Sequence, residues 1–138
     1  MGKVRVWLRN ARSSSLMQSV MPAIVAVVLA IGSKDFSIWA SVVAVLGVIA
    51  AHLGVNLADD YFDYKVGTSE SRKHLVRQGF RARLVKYPYL TDGSASLKDL
   101  KRATIAFFAF AAVLGCSIVI FRSWQVIPIA LVTLFLGI

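Results

Sequence analysis

The chain has 138 residues, 57% of them hydrophobic, and a formal net charge of +9 at pH 7. Its apolar residues come in long blocks, which excludes an ordinary soluble domain and predicts an all-α transmembrane helical bundle. A single cysteine, Cys116, excludes a disulfide framework and a cysteine-based zinc site. Because the basic residues flank apolar segments, the positive charge predicts membrane orientation and no nucleic-acid partner.

The N-terminal region predicts a basic interfacial segment followed by a first spanning helix. Residues 1–12 carry four cations, and Trp7 is placed to lie at the membrane interface. The apolar run 16–32 contains Pro22 and lacks a small-residue cleavage site followed by a polar mature sequence. We therefore expect a short helix, kinked at Pro22, and no cleaved signal peptide. The brief connector 33–35 predicts an antiparallel second helix.

The second predicted helix covers about 36–63 and has small residues four positions apart, a spacing that allows helices to approach closely. The two pairs are Gly47 with Ala51 and Ala50 with Gly54. His52 and Asn56 would be costly facing lipid, so both should turn into the bundle. For His52, a hydrogen bond across helices and a catalytic or substrate contact remain equally open.

Three carboxylates stand at the end of this helix. At about 100° per residue, four polar side chains and His52 fall within an arc of roughly 100°. The four are Asn56, Asp59, Asp60 and Asp63. The C-terminus of a helix already carries partial negative charge, so three added carboxylates are unfavourable unless a cation or a cluster of hydrogen-bond donors compensates them. Oxygen donors without cysteine favour Mg²⁺. The alternative is a solvated helix end.

The polar loop, about residues 64–96, is strongly basic. Residues 65–102 hold ten of the sixteen Lys and Arg residues. By the positive-inside rule the N-terminus, this loop and the acidic helix end face the cytoplasm. Lys73, Arg77 and Arg81 recur every four residues and predict a basic amphipathic helix on the membrane surface. It could supply cations to a diphosphate or simply bind anionic lipid.

The remainder of the chain predicts an anchor, a turn and two further helices. Tyr87, Pro88 and Tyr89 fit an interfacial anchor, and Asp92–Gly93 fits a turn. Ser96 and Asp99 fit a capping box at the start of a third helix, 97–121. A fourth helix begins at 124. Its run to residue 138 is 15 residues long, short of the roughly 20 needed to cross a membrane. We therefore expect the chain to be truncated.

The acidic stretch resembles the first aspartate-rich motif of the UbiA-type intramembrane prenyltransferases. Its sequence, from 56 to 63, is Asn-Leu-Ala-Asp-Asp-Tyr-Phe-Asp, followed by Lys65 and Gly67. It looks most like the 1,4-dihydroxy-2-naphthoate polyprenyltransferase branch, whose motif is Asn-x-x-Asn-Asp-Tyr-x-Asp. Asp59 departs from that pattern, and Gly67 favours the menaquinone side of the family. The opening, from Trp7 to Pro22, is also similar, with Ser13 departing from a frequent proline.

This resemblance implies that residues 1–138 are the N-terminal part of one prenyltransferase domain of about nine helices. A second aspartate-rich motif would follow Ile138, so the chain alone should be inactive. Asp60 and Asp63 would be catalytic and would hold Mg²⁺ together with Asn56 and Asp59. Further contacts to the substrate diphosphate would come from a set of residues with cationic or amide side chains. These are Asn56, Lys65, Arg72 and Lys73.

The implied reaction transfers a polyprenyl group from a polyprenyl diphosphate to 1,4-dihydroxy-2-naphthoate in menaquinone synthesis. The implied location is the bacterial inner membrane, with the lipid bilayer as partner. Three alternatives stay open. One is a prenyltransferase for another aromatic or quinone precursor. The second is a transporter that uses His52, Asn56 and Asp60 as a relay. The third is a non-catalytic scaffold that would tolerate replacement of the acidic residues.

Overall fold

A computed structural model describes residues 7, 11, 15–67, 78, 87–91, 93–122, 124, 127, 128, 131 and 132. These residues form three long helices and one single turn, with no strand among them. We number the helices α1 (Met17–Ala30), α2 (Ile38–Val66), α3 (Pro88–Thr91) and α4 (Leu97–Phe121). The all-α prediction is confirmed for this part of the chain. The size of the complete bundle stays a prediction.

The helix ends follow local capping chemistry. The Ser37 side chain accepts a hydrogen bond from the Ala40 N–H at 3.3 Å, which starts α2 two residues later than predicted. Gly67 ends α2 in the left-handed conformation, with φ of 73°, and its N–H donates to the carbonyl oxygens of Asp63 and Tyr64. The helix therefore continues three residues past the predicted end. All three carboxylates lie between Asp59 and the end of the helix at Val66.

Two predicted segments fall largely outside the described residues. The basic amphipathic helix around Lys73, Arg77 and Arg81 is one of them, since only Gln78 is described there. The predicted fourth helix, 124–138, is the other, with five of its residues described. Both stay predictions.

Pro22 does lie within α1, as the sequence predicted, where it lacks the N–H that would donate to the preceding turn.

Side-chain contacts show that α2 is antiparallel to both α1 and α4. His52, late in α2, contacts Ser19 at the start of α1. On the other side, Gly54 faces Phe107 and Phe108, early in α4. The start of α2 meets the end of α4, where the Trp39 and Phe121 rings lie 5.9 Å apart, edge to face. The acidic end of α2 therefore lies beside the starts of α1 and α4.

The buried core is small and sits at this acidic end. Its buried members come from the N-terminal segment, α2, α3 and the start of α4. They are Ala11, Leu53, Leu57, Tyr87, Tyr89 and Leu100. Away from this cluster the helices expose large apolar side chains, including Leu29 at 80%, Ile38 at 72% and Ile120 at 74%. Only a lipid-like or protein environment would cover these surfaces favourably.

Two helices, α2 and α4, are long and apolar enough to cross a membrane, whereas α1 is a shorter apolar helix. None of the most apolar stretch of α4 is buried within the described structure. A core helix of a soluble domain would be covered by its neighbours. The exposed apolar faces are therefore compatible with a lipid bilayer as partner.

The capping box at the start of α4 is present as predicted. The Ser96 Oγ accepts from the Asp99 N–H at 3.2 Å, and an Asp99 carboxylate oxygen accepts from the Ser96 N–H at 3.2 Å. We expect Ser96→Ala to lower the free energy of unfolding by about 1 kcal/mol, because it removes one cap acceptor. Equilibrium unfolding in detergent measures this. The exposed neighbour Lys98 supplies the control, and an equal loss in Lys98→Ala would contradict the capping role.

Candidate functional site at the acidic end of α2

Among the residues that the structure describes, Asp60 is the buried polar or charged residue. Its side chain is 0% exposed, and its Oδ2 accepts a hydrogen bond of 2.8 Å from the Tyr89 hydroxyl. Tyr89 is 4% exposed and belongs to α3, almost thirty residues further along the chain. Burying a carboxylate costs several kcal/mol unless donors or cations compensate it. The fold therefore supplies Asp60 with a hydrogen-bond donor from a separate element.

Tyr89 is fixed at three points. Its carbonyl oxygen accepts hydrogen bonds from the Ala95 N–H at 2.9 Å and from the Ser94 hydroxyl at 3.2 Å. Its ring packs edge to face with Trp7, with centroids 5.9 Å apart. Gly93, with φ of 75°, makes the turn that brings residues 94 and 95 back to this carbonyl. The hydroxyl that reaches Asp60 thus comes from a well-constrained residue.

Asn56 faces the N-terminal segment. Its Nδ2 donates to the Ala11 carbonyl at 2.8 Å and to the Ser15 hydroxyl at 3.2 Å. One turn earlier, His52 Nε2 lies 3.0 Å from the Ser15 Oγ, and Nδ1 lies 2.8 Å from the Ser19 Oγ. For His52 the structure shows the cross-helix hydrogen bonding that the sequence left open. Together these bonds hold the start of α1 against α2.

The three carboxylates occupy different environments. Neighbouring residues of a helix project about 100° apart, so Asp60 turns into the bundle while Asp59 is exposed. Asp63, three residues after Asp60 and on the same side, is half-buried. Of the predicted diphosphate contacts, Lys65 is exposed, with Nζ 5.9 Å from the centre of the Tyr61 ring. Arg72 and Lys73 lie outside the described residues.

This arrangement fits Mg²⁺ that is held by two carboxylates, with the rest of its ligands coming from substrate and water. Among the described residues, no three or more His, Cys, Asp or Glu side chains form a group able to hold a metal. Mg²⁺ is commonly held by only one or two carboxylates, with substrate phosphates and water completing its octahedral shell. Asp60 and Asp63, which share one side of α2, supply such a pair. Asn56 directs its amide nitrogen to Ala11 and Ser15, and Asp59 lies at the exposed edge.

The sequence did not predict the role of Tyr89. We expected Tyr87 and Tyr89 to anchor the chain at the membrane interface, but both are buried, at 2% and 4% exposure. The prediction was wrong because α3 folds back over the end of α2, where the aromatic rings cover the core. A useful signal was available: an aspartate predicted to lie at membrane depth requires a donor, and tyrosine supplies one.

An apolar cavity of about 280 Å³ lies between α1 and the first half of α2. Ile24, Phe36 and Val45 are among its lining residues, which include none of the acidic side chains. The cavity therefore lies at the opposite end of α2 from Asp60.

Comparisons with protein-family models, with curated proteins and with solved structures gave no match for this chain.

Proposed function

We propose that this chain belongs to a membrane enzyme that transfers a polyprenyl group from a polyprenyl diphosphate to an aromatic acceptor, with Mg²⁺ as cofactor. The observation that carries the proposal is the fully buried Asp60 near the end of a membrane-length helix, with Asp63 on the same side. A fully buried carboxylate with a second, half-buried one on the same side of the helix is costly and suits a bound cation. The resemblance of residues 56–63 to a prenyltransferase motif supports the same chemistry.

The proposed roles follow from the residues. Asp60 and Asp63 would hold Mg²⁺, which when bound neutralises the diphosphate leaving group. The Lys65 ammonium, exposed near the same end of α2, would add positive charge at the diphosphate. Arg72 and Lys73 are proposed for the same role from the sequence. The apolar helix faces near the acidic end would limit the access of water to an allylic cation until an acceptor ring attacks it.

The acceptor rests on the family resemblance. We propose 1,4-dihydroxy-2-naphthoate, as in menaquinone synthesis, and a cytoplasmic orientation of the acidic end in a bacterial inner membrane. The excess of Lys and Arg in residues 65–102 supports this orientation. The two membrane-length helices are compatible with a location in a membrane.

The test is an assay of the protein in lipid nanodiscs, with the naphthoate and a polyprenyl diphosphate. We expect prenylated product with Mg²⁺, no product after chelation with EDTA, and recovery when Mg²⁺ is returned. Removal of Mg²⁺ should stop the transfer because the carboxylates alone cannot neutralise the diphosphate, and return of Mg²⁺ should therefore restore it. Product that persists after complete chelation would contradict the proposed cofactor. No product from any aromatic acceptor would contradict the proposed function.

A further inference from the structure

We propose that Tyr89 is a positioning residue for Asp60, holding one oxygen of its carboxylate so that Asp60 has a single orientation toward the Mg²⁺–diphosphate. This inference rests on the proposed function and adds a residue that the acidic motif does not contain. Its basis is the 2.8 Å hydrogen bond from the Tyr89 hydroxyl to Asp60 Oδ2, between two side chains that are both almost completely buried.

The first step is that other residues hold both the backbone and the ring of Tyr89. Its backbone carbonyl accepts two hydrogen bonds from residues 94 and 95, and its ring packs on Trp7. Residues 94 and 95 in turn precede the capped start of α4, so the tyrosine is tied to a long helix. A donor fixed in this way restricts the side-chain rotation of the group it bonds.

The second step is that orientation matters for a buried carboxylate ligand. Metal-binding carboxylates are commonly hydrogen-bonded by outer residues that set their orientation, and loss of such a partner typically weakens metal binding 10- to 100-fold. Asp60 has its donor on a different element of the fold, α3, whereas Asp59 is exposed on the same helix. The hydrogen bond therefore joins α3 to the acidic end of α2 through its buried aspartate.

Tyr89→Phe tests this role, since it keeps the ring and its contact with Trp7 but removes the hydroxyl. The measured quantity is binding of a farnesyl thiodiphosphate, a donor analogue that resists cleavage, to the full-length protein in nanodiscs over a range of Mg²⁺ concentrations. We expect the Mg²⁺ concentration for half-maximal binding to rise about 10- to 100-fold. Partial unfolding would lower the number of binding sites and leave that midpoint unchanged, so the two effects separate.

Tyr64→Phe is the matched control. It removes a hydroxyl near the same helix end, from a ring that is 42% exposed and packs on Tyr87 at 5.5 Å. The hydroxyl of Tyr64 forms no hydrogen bond with the residues that the structure describes. We expect its Mg²⁺ midpoint to stay within about two-fold of the wild type, since mutations outside a coupled network leave it unchanged. A shift equal to that of Tyr89→Phe would overturn the positioning role.

A double variant tests whether Tyr89 acts through Asp60. In an Asp60→Ala background, which removes the acceptor of the Tyr89 hydroxyl, adding Tyr89→Phe should change analogue binding much less than it does alone, because coupled residues are not additive. Equal effects in both backgrounds would overturn the proposal. If the wild type transfers prenyl groups and Tyr89→Phe keeps its Mg²⁺ midpoint, the positioning role fails and the proposed function stands. If the wild type neither binds the analogue nor transfers a prenyl group, both fail.

Discussion

Asp60→Asn and Asp63→Asn should each abolish Mg²⁺-dependent prenyl transfer, lowering kcat/KM by about 10³-fold or more. Each substitution removes a negative charge from the proposed magnesium pair and nearly preserves the shape of the side chain. A bound metal typically contributes several kcal/mol of charge stabilisation in the transition state, and each 1.4 kcal/mol corresponds to a factor of ten. The assay is initial-rate kinetics of the full-length protein, with membrane insertion measured in parallel.

Asp60→Asn is the stricter test of whether the lost activity comes from unfolding, because Asp60 is fully buried. The side-chain carbonyl of asparagine can still accept the hydrogen bond that Tyr89 donates to Asp60, so burial at this site should be tolerated. The control is Asp35→Asn at the opposite end of the helices. Asp35 is exposed, and the contact it makes with Arg122 uses its backbone carbonyl, which the substitution keeps. Retained turnover in both acidic-end variants would refute the assigned roles.

The sequence predicted the long helices well because their signals are local. The capping box at Ser96 and the polar residue Arg122 gave the limits of α4, since both signals act within one turn of the helix ends. The small residues at 47 and 54 likewise predicted a close approach of helices, and both face α4 in the structure. The end of α2 was placed three residues early because the capping role of Gly67 was not recognised.

The candidate site was predicted less completely because its partners are distant in sequence. Helical periodicity placed Asn56, Asp60 and Asp63 on one side of α2, but it does not specify which element covers that side. The structure uses two: the N-terminal segment bonds Asn56, and α3 bonds Asp60. Periodicity also grouped Asp59 with Asp60, although their 100° separation leaves one exposed and the other buried.

Gly54→Leu should destabilise the packing of α2 against α4 by about 1–3 kcal/mol, the usual cost of adding side-chain volume to a packed contact. A Cβ at this position would lie 3.3 Å from two ring carbons of Phe108 and 3.4 Å from the Cβ of Phe107. The Phe108 ring is 40% exposed and can move aside. The Cβ of Phe107 is attached directly to the backbone, so the further carbons of leucine would have to push the two helices apart.

Gly115→Leu is the matched control for this effect. A Cβ at Gly115 would have no atom within 4 Å, and the residue is exposed on α4. Both substitutions replace a helical glycine by leucine, so both gain about 0.8–1 kcal/mol of helix propensity. The difference between their unfolding free energies, measured by denaturation in mixed micelles, therefore reports the packing term. Equal stability of the two variants would contradict close packing at Gly54. We expect Gly54→Leu to disturb the acidic end as well, because Leu57 and Asp60 follow within two turns on the same buried side of α2.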